Sequence, residues 1–207
     1  MAAEAVMFLG MHAASGSDGF LAHTMTSRIS RLEVNRRLLA EIELFAASLA
    51  PWKIRPIFFS GCPVACKQAA AVVDNINCFP IDKSRGAERF DHSKWRSALA
   101  HAAVKSLSNR KTKPYEPLGP FDARVTLRDG EAAAFRLARR WSFEQLGAQI
   151  RIQRASIHQL YMELIRLCYL TPAIEKVLPL ALAAFNLKGR SGIARARRRL
   201  KRWGRFG

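Results

Sequence analysis

The sequence has few acidic residues for its size. Among 207 residues, 16 Asp and Glu stand against 34 Lys and Arg, which gives a formal net charge of +18. It also lacks any run of 18 or more apolar residues, which excludes a simple transmembrane helix. Glu4 is the only charged residue before the first apolar stretch ends, and a secretory signal would carry Lys or Arg there. The excess of positive charge favours anionic partners.

Cysteine is scarce too. The four cysteines are too few and too scattered for a disulfide framework in a chain of this length, so we expect a reducing, cytoplasmic location. Cys62 and Cys66 have a C-x₃-C spacing that would suit a metal or redox site. No second Cys or His pair lies nearby in the sequence, which favours the other interpretation, that both are small buried apolar residues.

Strand-like and helix-like segments alternate through the first eighty residues. Apolar residues make up 49% of the chain, enough for one folded domain of ordinary size. Short β-branched or aromatic runs predict strands, and apolar residues at three- and four-residue spacing predict the helices between them. This alternation predicts an α/β fold with a mainly parallel sheet flanked by helices. The strands are expected at 5–9, 28–34, 54–59, 76–81 and 123–127, and the helices at 37–51, 64–73, 95–107 and 130–141.

The C-terminal part has a different composition. Two apolar helices are expected at 156–170 and 173–185, and residues 188–207 carry nine Lys and Arg with no acid. We therefore divide the chain into an α/β domain (1–150), a helical C-terminal segment (151–187) and a basic tail (188–207). The tail could form a helix with an apolar edge that contacts anionic lipid or nucleic-acid phosphate, or it could be a solvated extension. No base-reading motif accompanies it, so sequence-specific nucleic-acid binding is not expected.

Two histidines bracket a turn-rich loop after the first predicted strand. His12 and His23 lie at its two ends, and Glu41 lies early in the next predicted helix. Neutral imidazole and carboxylate are common zinc ligands in hydrolases. The alternative is that the histidines are surface or capping residues and that Glu41, beside Glu43, belongs to an ordinary solvated helix face.

Three motifs carry a resemblance to a known family. They are Gly10-Met11-His12-Ala13-Ala14-Ser15-Gly16, then Gly19-Phe20-Leu21-Ala22-His23-Thr24, then Val34-Asn35 followed by Glu41. In order and interval they resemble the DppA-type D-aminopeptidases, a family of zinc metallopeptidases. The resemblance implies that His12 and Glu41 are metal ligands and that His23 is the catalytic histidine. Arg36 stands where the family has Gly after Val-Asn.

The resemblance also implies a function. It indicates a hydrolase, a zinc-dependent aminopeptidase that acts on short peptides, including those with D-residues, with two zinc ions and assembly into a homo-oligomer. The family's Asp-x-Glu metal-binding strand is not found in residues 1–10. We therefore expect an incomplete metal site and impaired hydrolysis. The alternative is a non-catalytic relative that acts through binding or assembly, with the basic tail contacting anionic lipid or nucleic acid.

Overall fold

The computed structural model describes residues 3–82 and 91–203, with side chains up to residue 196. The end of the predicted basic tail, residues 204–207, lies outside the described residues. The chain divides into two compact units, residues 1–168 and 169–207. The predicted domain boundary at residue 150 stays a prediction, while the first compact unit extends to Cys168.

The first half of unit 1 contains a three-stranded parallel sheet. Its central strand is buried almost throughout, as expected for a strand covered on both faces. Three helices pack against this sheet, and α1 is followed by a short 3₁₀ turn at Ala50–Trp52. The sheet has the order β1-β4-β5, with β1 at Ala5–Met11, β4 at Arg55–Gly61 and β5 at Asn77–Pro80, and the helices are α1 at Glu41–Leu49, α2 at Pro63–Val72 and α3 at His92–Ser106.

A second sheet has five antiparallel strands. Every other residue of its central strand is buried, and this period of two is typical of a sheet with one face on the core and one face in water. Two helices, α4 at Glu131–Trp141 and α5 at Ile157–Tyr169, contribute to the core on the apolar face. The strand order is β3-β2-β6-β8-β7, with β2 at Ile29–Val34, β3 at Arg37–Leu38, β6 at Phe121–Leu127, β7 at Glu144–Leu146 and β8 at Gln149–Arg154.

A two-residue turn joins β2 to β3. Asn35 and Arg36 both have positive φ, 51° and 66°, as a tight hairpin of this length requires. The Asn35 side chain fixes the turn on β6: its amide donates to the Pro120 carbonyl, and its oxygen accepts from the Asp122 N–H at 2.9 Å. Arg36 therefore occupies a backbone conformation that favours glycine, the residue the family has at this place.

The predicted α/β class is confirmed, with a parallel sheet flanked by helices and a helical C-terminal segment. The parallel sheet is the smaller of the two, because β2 and β6 belong to the antiparallel sheet. The prediction of a helix from residue 37 is wrong at its start, since Arg37 and Leu38 pair with β2 and α1 begins at Glu41. Strands β7 and β8 were not predicted, because their arginine and glutamine content hides the alternation.

Unit 2 is mainly one helix, α6, from Pro172 to Trp203. The sequence predicted an apolar helix and a separate basic tail, but the backbone is helical through both. Among the described residues, no single helix is long and apolar enough to cross a membrane. Helix α5 and residues 172–196 of α6 reach the required length and mean hydropathy only as a bent pair.

Candidate active site

Strand β1 delivers His12 to the carboxyl end of the parallel sheet. Met11, the last residue of β1, pairs with Gly61 at the end of β4, and His12 follows it directly. Ligand and catalytic residues of open α/β sheets gather at this end, because the connections to the following elements leave a crevice there. The structure thus places His12 where the sequence predicted it.

A reciprocal pair of hydrogen bonds closes the loop that follows. The N–H of Ser15 donates to Thr24 Oγ1 at 3.0 Å, and the N–H of Thr24 donates to Ser15 Oγ at 2.7 Å. Thr24 Oγ1 also donates to the Leu39 carbonyl at 2.9 Å. Both hydroxyl side chains are buried, so these bonds form where water does not compete with them.

Loop closure brings the two predicted histidines together. The N–H of His23 donates to the Ala13 carbonyl at 3.0 Å, which holds residue 23 beside residue 12 across the loop. The two imidazole rings lie 4.6 Å apart between centroids, with their planes tilted by 42°. The sequence placed the two histidines at the ends of one loop, but it carried no sign of the hydrogen bonds that close this loop.

Both imidazoles are held by the same kind of contact. His12 Nδ1 lies 3.1 Å from the Phe20 carbonyl oxygen, and His23 Nδ1 lies 2.8 Å from the Leu21 carbonyl oxygen. A carbonyl oxygen can only accept, so each Nδ1 carries the hydrogen, and in the neutral ring the lone pair is on Nε2. Each Nε2 is therefore set up to accept a proton or to bind a metal.

Glu41 lies at the start of α1, next to the end of the histidine loop. Its Oε1 accepts a hydrogen bond from the N–H of Met25 at 2.9 Å, two residues after His23. Burial and, to a smaller extent, the nearby Glu41 charge raise the pKa of Tyr161. One carboxylate oxygen of Glu41 therefore fixes the loop, and its role as a metal ligand stays a prediction.

The described donors do not fit a pair of tightly held zinc ions. Within residues 3–82 and 91–203, no three or more His, Cys, Asp or Glu side chains are grouped closely enough to hold a metal ion. A catalytic zinc ion commonly has three protein ligands, and two ions need more than His12, His23 and Glu41 supply.

Glu43 differs from its neighbour Glu41. The sequence pattern suggested a solvated helix face for both, but the Glu43 side chain is only 4% exposed. It accepts from Arg37 Nη2 at 2.7 Å, from the Tyr115 hydroxyl at 3.0 Å and from the Ala40 N–H at 3.3 Å. Burial and the nearby Glu43 charge raise the pKa of Tyr115 to about 12. This cluster joins α1 to the connector before β6 and has a structural role.

The cysteines agree with the interpretation as small buried residues. Cys62 and Cys66 are buried in the core beside the parallel sheet, and all four cysteines are free thiols. Cys66 Sγ donates to the Gly61 carbonyl at 3.7 Å, and Cys78 Sγ donates to the Cys66 carbonyl at 3.5 Å. The neighbouring Cys78 thiol and burial raise the pKa of the Cys66 thiol, which favours its protonated form.

Replacing Thr24 by valine should destabilise the protein by about 1–3 kcal/mol, because the buried Ser15 N–H loses its acceptor and the Leu39 carbonyl loses a donor. Urea unfolding of the full chain measures this change. Thr26→Val is the matched control, since Thr26 Oγ1 makes only one long, exposed bond of 3.4 Å, and it should change the free energy of unfolding by less than about 0.5 kcal/mol. Equal losses for the two variants would contradict the assigned role of Thr24.

Comparisons with known proteins point in one direction. The profile of the peptidase family M55, described as D-aminopeptidase, matches residues 1–164. Among solved structures, the fold is similar to that of the Zn-dependent D-aminopeptidase DppA from Bacillus subtilis, a self-compartmentalizing protease, with a TM-score of 0.69 at 19% identity. The match covers 79% of this chain and 62% of that protein's length. No curated protein sequence matches the chain.

Proposed function

The chain belongs to the D-aminopeptidase family M55, and from this membership we propose that it hydrolyses the N-terminal peptide bond of short peptides, including peptides with D-residues. The observation that carries the proposal is the closed loop that holds the imidazoles of His12 and His23 4.6 Å apart at the carboxyl end of the parallel sheet. Peptidase chemistry needs a group that moves protons beside the scissile bond, and these two side chains are suited to that task.

Three residues of the protein would have separate roles in the hydrolysis. The Nδ1–H of His23 is held by the Leu21 carbonyl, so its Nε2 would accept a proton from the attacking water and return it to the leaving amine. The ring of His12 is oriented in the same way by the Phe20 carbonyl, and its Nε2 would bind the metal beside His23. Glu41 would fix the position of this loop through the Met25 N–H.

Zinc dependence is part of the proposal, in a weakened form. Zinc is the metal that the family resemblance implies, and the imidazole and carboxylate donors at 12 and 41 are of the right chemical type. Because no three-donor group exists among the described residues, we propose that the chain binds zinc loosely and turns over slowly.

An aminopeptidase assay with D- and L-alanine amide tests this proposal. The full chain, dialysed without metal, should retain little zinc and release little ammonia. Zinc in excess over protein should raise the rate, and EDTA should abolish it. Stoichiometric zinc retained after dialysis would overturn the loose-binding part of the proposal. Absence of turnover at any zinc concentration would overturn the hydrolytic function.

A non-catalytic role is the second candidate, and the incomplete donor set favours it. Such a protein would bind the peptide at the histidine loop without cleaving it. Isothermal titration with a short D-peptide distinguishes the two candidates, because the second predicts binding heat without product in the same sample.

Assembly and location are also part of the proposal. We propose that copies of the chain form a homo-oligomer, as the resemblance implies, which light scattering coupled to gel filtration would measure. We propose a cytoplasmic location, supported by the four free thiols, with Cys78 against Cys66 and no bridge between them. Cell fractionation would test the location.

A further inference from the structure

Helix α6 exposes an unusual amount of apolar surface in its first half. Six large apolar side chains there are between 45% and 76% exposed: Ile174, Val177, Leu180, Leu182, Phe185 and Leu187. Single exposed apolar residues are common on protein surfaces, but six within 14 residues of one helix indicate a contact surface.

The second half of the same helix is strongly basic. From Lys188 to the end of the chain there are nine Lys and Arg and no acidic residue. Those whose side chains the structure describes, Lys188, Arg190 and Arg195, are all exposed. Helix α6 runs from Pro172 to Trp203, so the apolar segment, residues 173–187, and the basic segment, residues 188–203, belong to one helix.

We propose that α6 is a membrane-surface anchor that binds anionic lipid. The apolar segment would enter the boundary between headgroups and acyl chains, and the basic segment would lie on anionic headgroups. The 15 residues of the apolar segment give a helix of about 23 Å at a rise of about 1.5 Å per residue. This length is shorter than the roughly 30 Å hydrocarbon core. The apolar segment is therefore suited to the interface and too short to span the membrane.

Two other binding partners would each match only one of the two segments of α6. Nucleic acid would neutralise the basic segment but would leave the apolar segment in water. A second copy of α6 could cover the apolar segment, but Glu175 is its only acidic residue, so it would leave most of the nine cations of residues 188–207 without counter-charge. An anionic lipid surface satisfies both segments at once.

Vesicle co-sedimentation of the full chain tests the anchor. Vesicles of phosphatidylcholine with phosphatidylserine should bind the protein, pure phosphatidylcholine should bind it far less, and added salt should weaken the binding. The triple variant Lys188→Gln, Arg190→Gln, Arg195→Gln should lose roughly 100-fold in affinity, since each cation near an anionic surface contributes about fivefold. Phe185→Ser should lose about tenfold, because the apolar contribution falls.

Matched controls lie on α4. Arg136→Gln, Arg139→Gln, Arg140→Gln removes the same charge from exposed positions, and Phe135→Ser removes a similarly exposed aromatic ring. Both control variants should bind like the parent protein. Losses equal to those of the α6 variants would overturn the proposal, as would equal, salt-insensitive binding to both kinds of vesicle. Binding to mixed-sequence DNA without binding to vesicles would overturn it too, as would self-association of lipid-free protein that depends on Phe185 in the absence of vesicle binding.

Discussion

Replacing His23 by glutamine is expected to lower kcat/KM for alanine amide by roughly 100- to 10,000-fold, the usual contribution of a positioned acid–base group. Glutamine keeps a polar side chain of similar length, so the loop should stay closed through the Ser15 and Thr24 hydrogen bonds. What is lost is the Nε2 lone pair that would accept the proton. Initial rates in excess zinc measure the change.

His158→Gln is the matched control. His158 is exposed on α5 and does not belong to the histidine loop, so this variant should retain the parent rate. A further measurement separates catalysis from folding, because the unfolding midpoint in urea should be nearly equal for His23→Gln and the parent protein. A loss of less than tenfold for His23→Gln, with the fold intact, would mean that His23 is not the proton-transfer residue.

The position of His12 could be predicted from sequence because its cause is local. An apolar run that ends in Gly10 predicts a strand, although β1 lies at the sheet edge and only Phe8 in it is buried. A residue just after a strand of a parallel sheet lies at the carboxyl edge. The pairing of His12 with His23 depends on buried hydrogen bonds between Ser15 and Thr24, residues nine positions apart. Composition and periodicity carry no information on such bonds. The family resemblance supplied the link that the pattern did not.

The burial of Glu43 could not be predicted from the sequence around it. A glutamate two residues after Glu41 in an amphipathic helix has the pattern of a solvated face, and burial of a carboxylate is costly without partners. Its partners, Arg37 and Tyr115, come from the strand before α1 and from a connector 72 residues later in the chain. The long separation of Tyr115 made the burial of Glu43 unpredictable from the local sequence.

The single helix α6 escaped prediction for a related reason. The change from an apolar to a basic composition near residue 188 suggested two segments, and Pro179, Gly189 and Gly192 each disfavour a helix interior. Arg, Ala and Leu dominate after Gly192 and favour the helix, so it continues through the change in polarity. Residues 173–187 and 188–203 therefore form one amphiphilic helix, which neither segment indicates alone.

Gly61→Ala is expected to destabilise the protein by about 2–3 kcal/mol, the cost of forcing an extra methyl group into a closely packed place. A Cβ at Gly61 would lie 2.5 Å from the Met11 carbonyl oxygen on β1 and 3.1 Å from the Cβ of Ala65 on α2. Gly61 cannot move aside easily, because its carbonyl accepts from the Ile81 N–H at 2.7 Å.

The strain would be relieved mainly through Met11, the residue directly before His12. Gly61→Ala should therefore also lower kcat/KM in excess zinc, even in conditions where the variant is fully folded. Gly192→Ala is the matched control: its Cβ would meet no atom within 4 Å, and alanine in a helix is favoured by about 1 kcal/mol over glycine. It should leave the peptidase rate unchanged and should not lower stability. If Gly61→Ala were as stable and as active as Gly192→Ala, the close approach of β1 to β4 would not be what fixes His12 at the site.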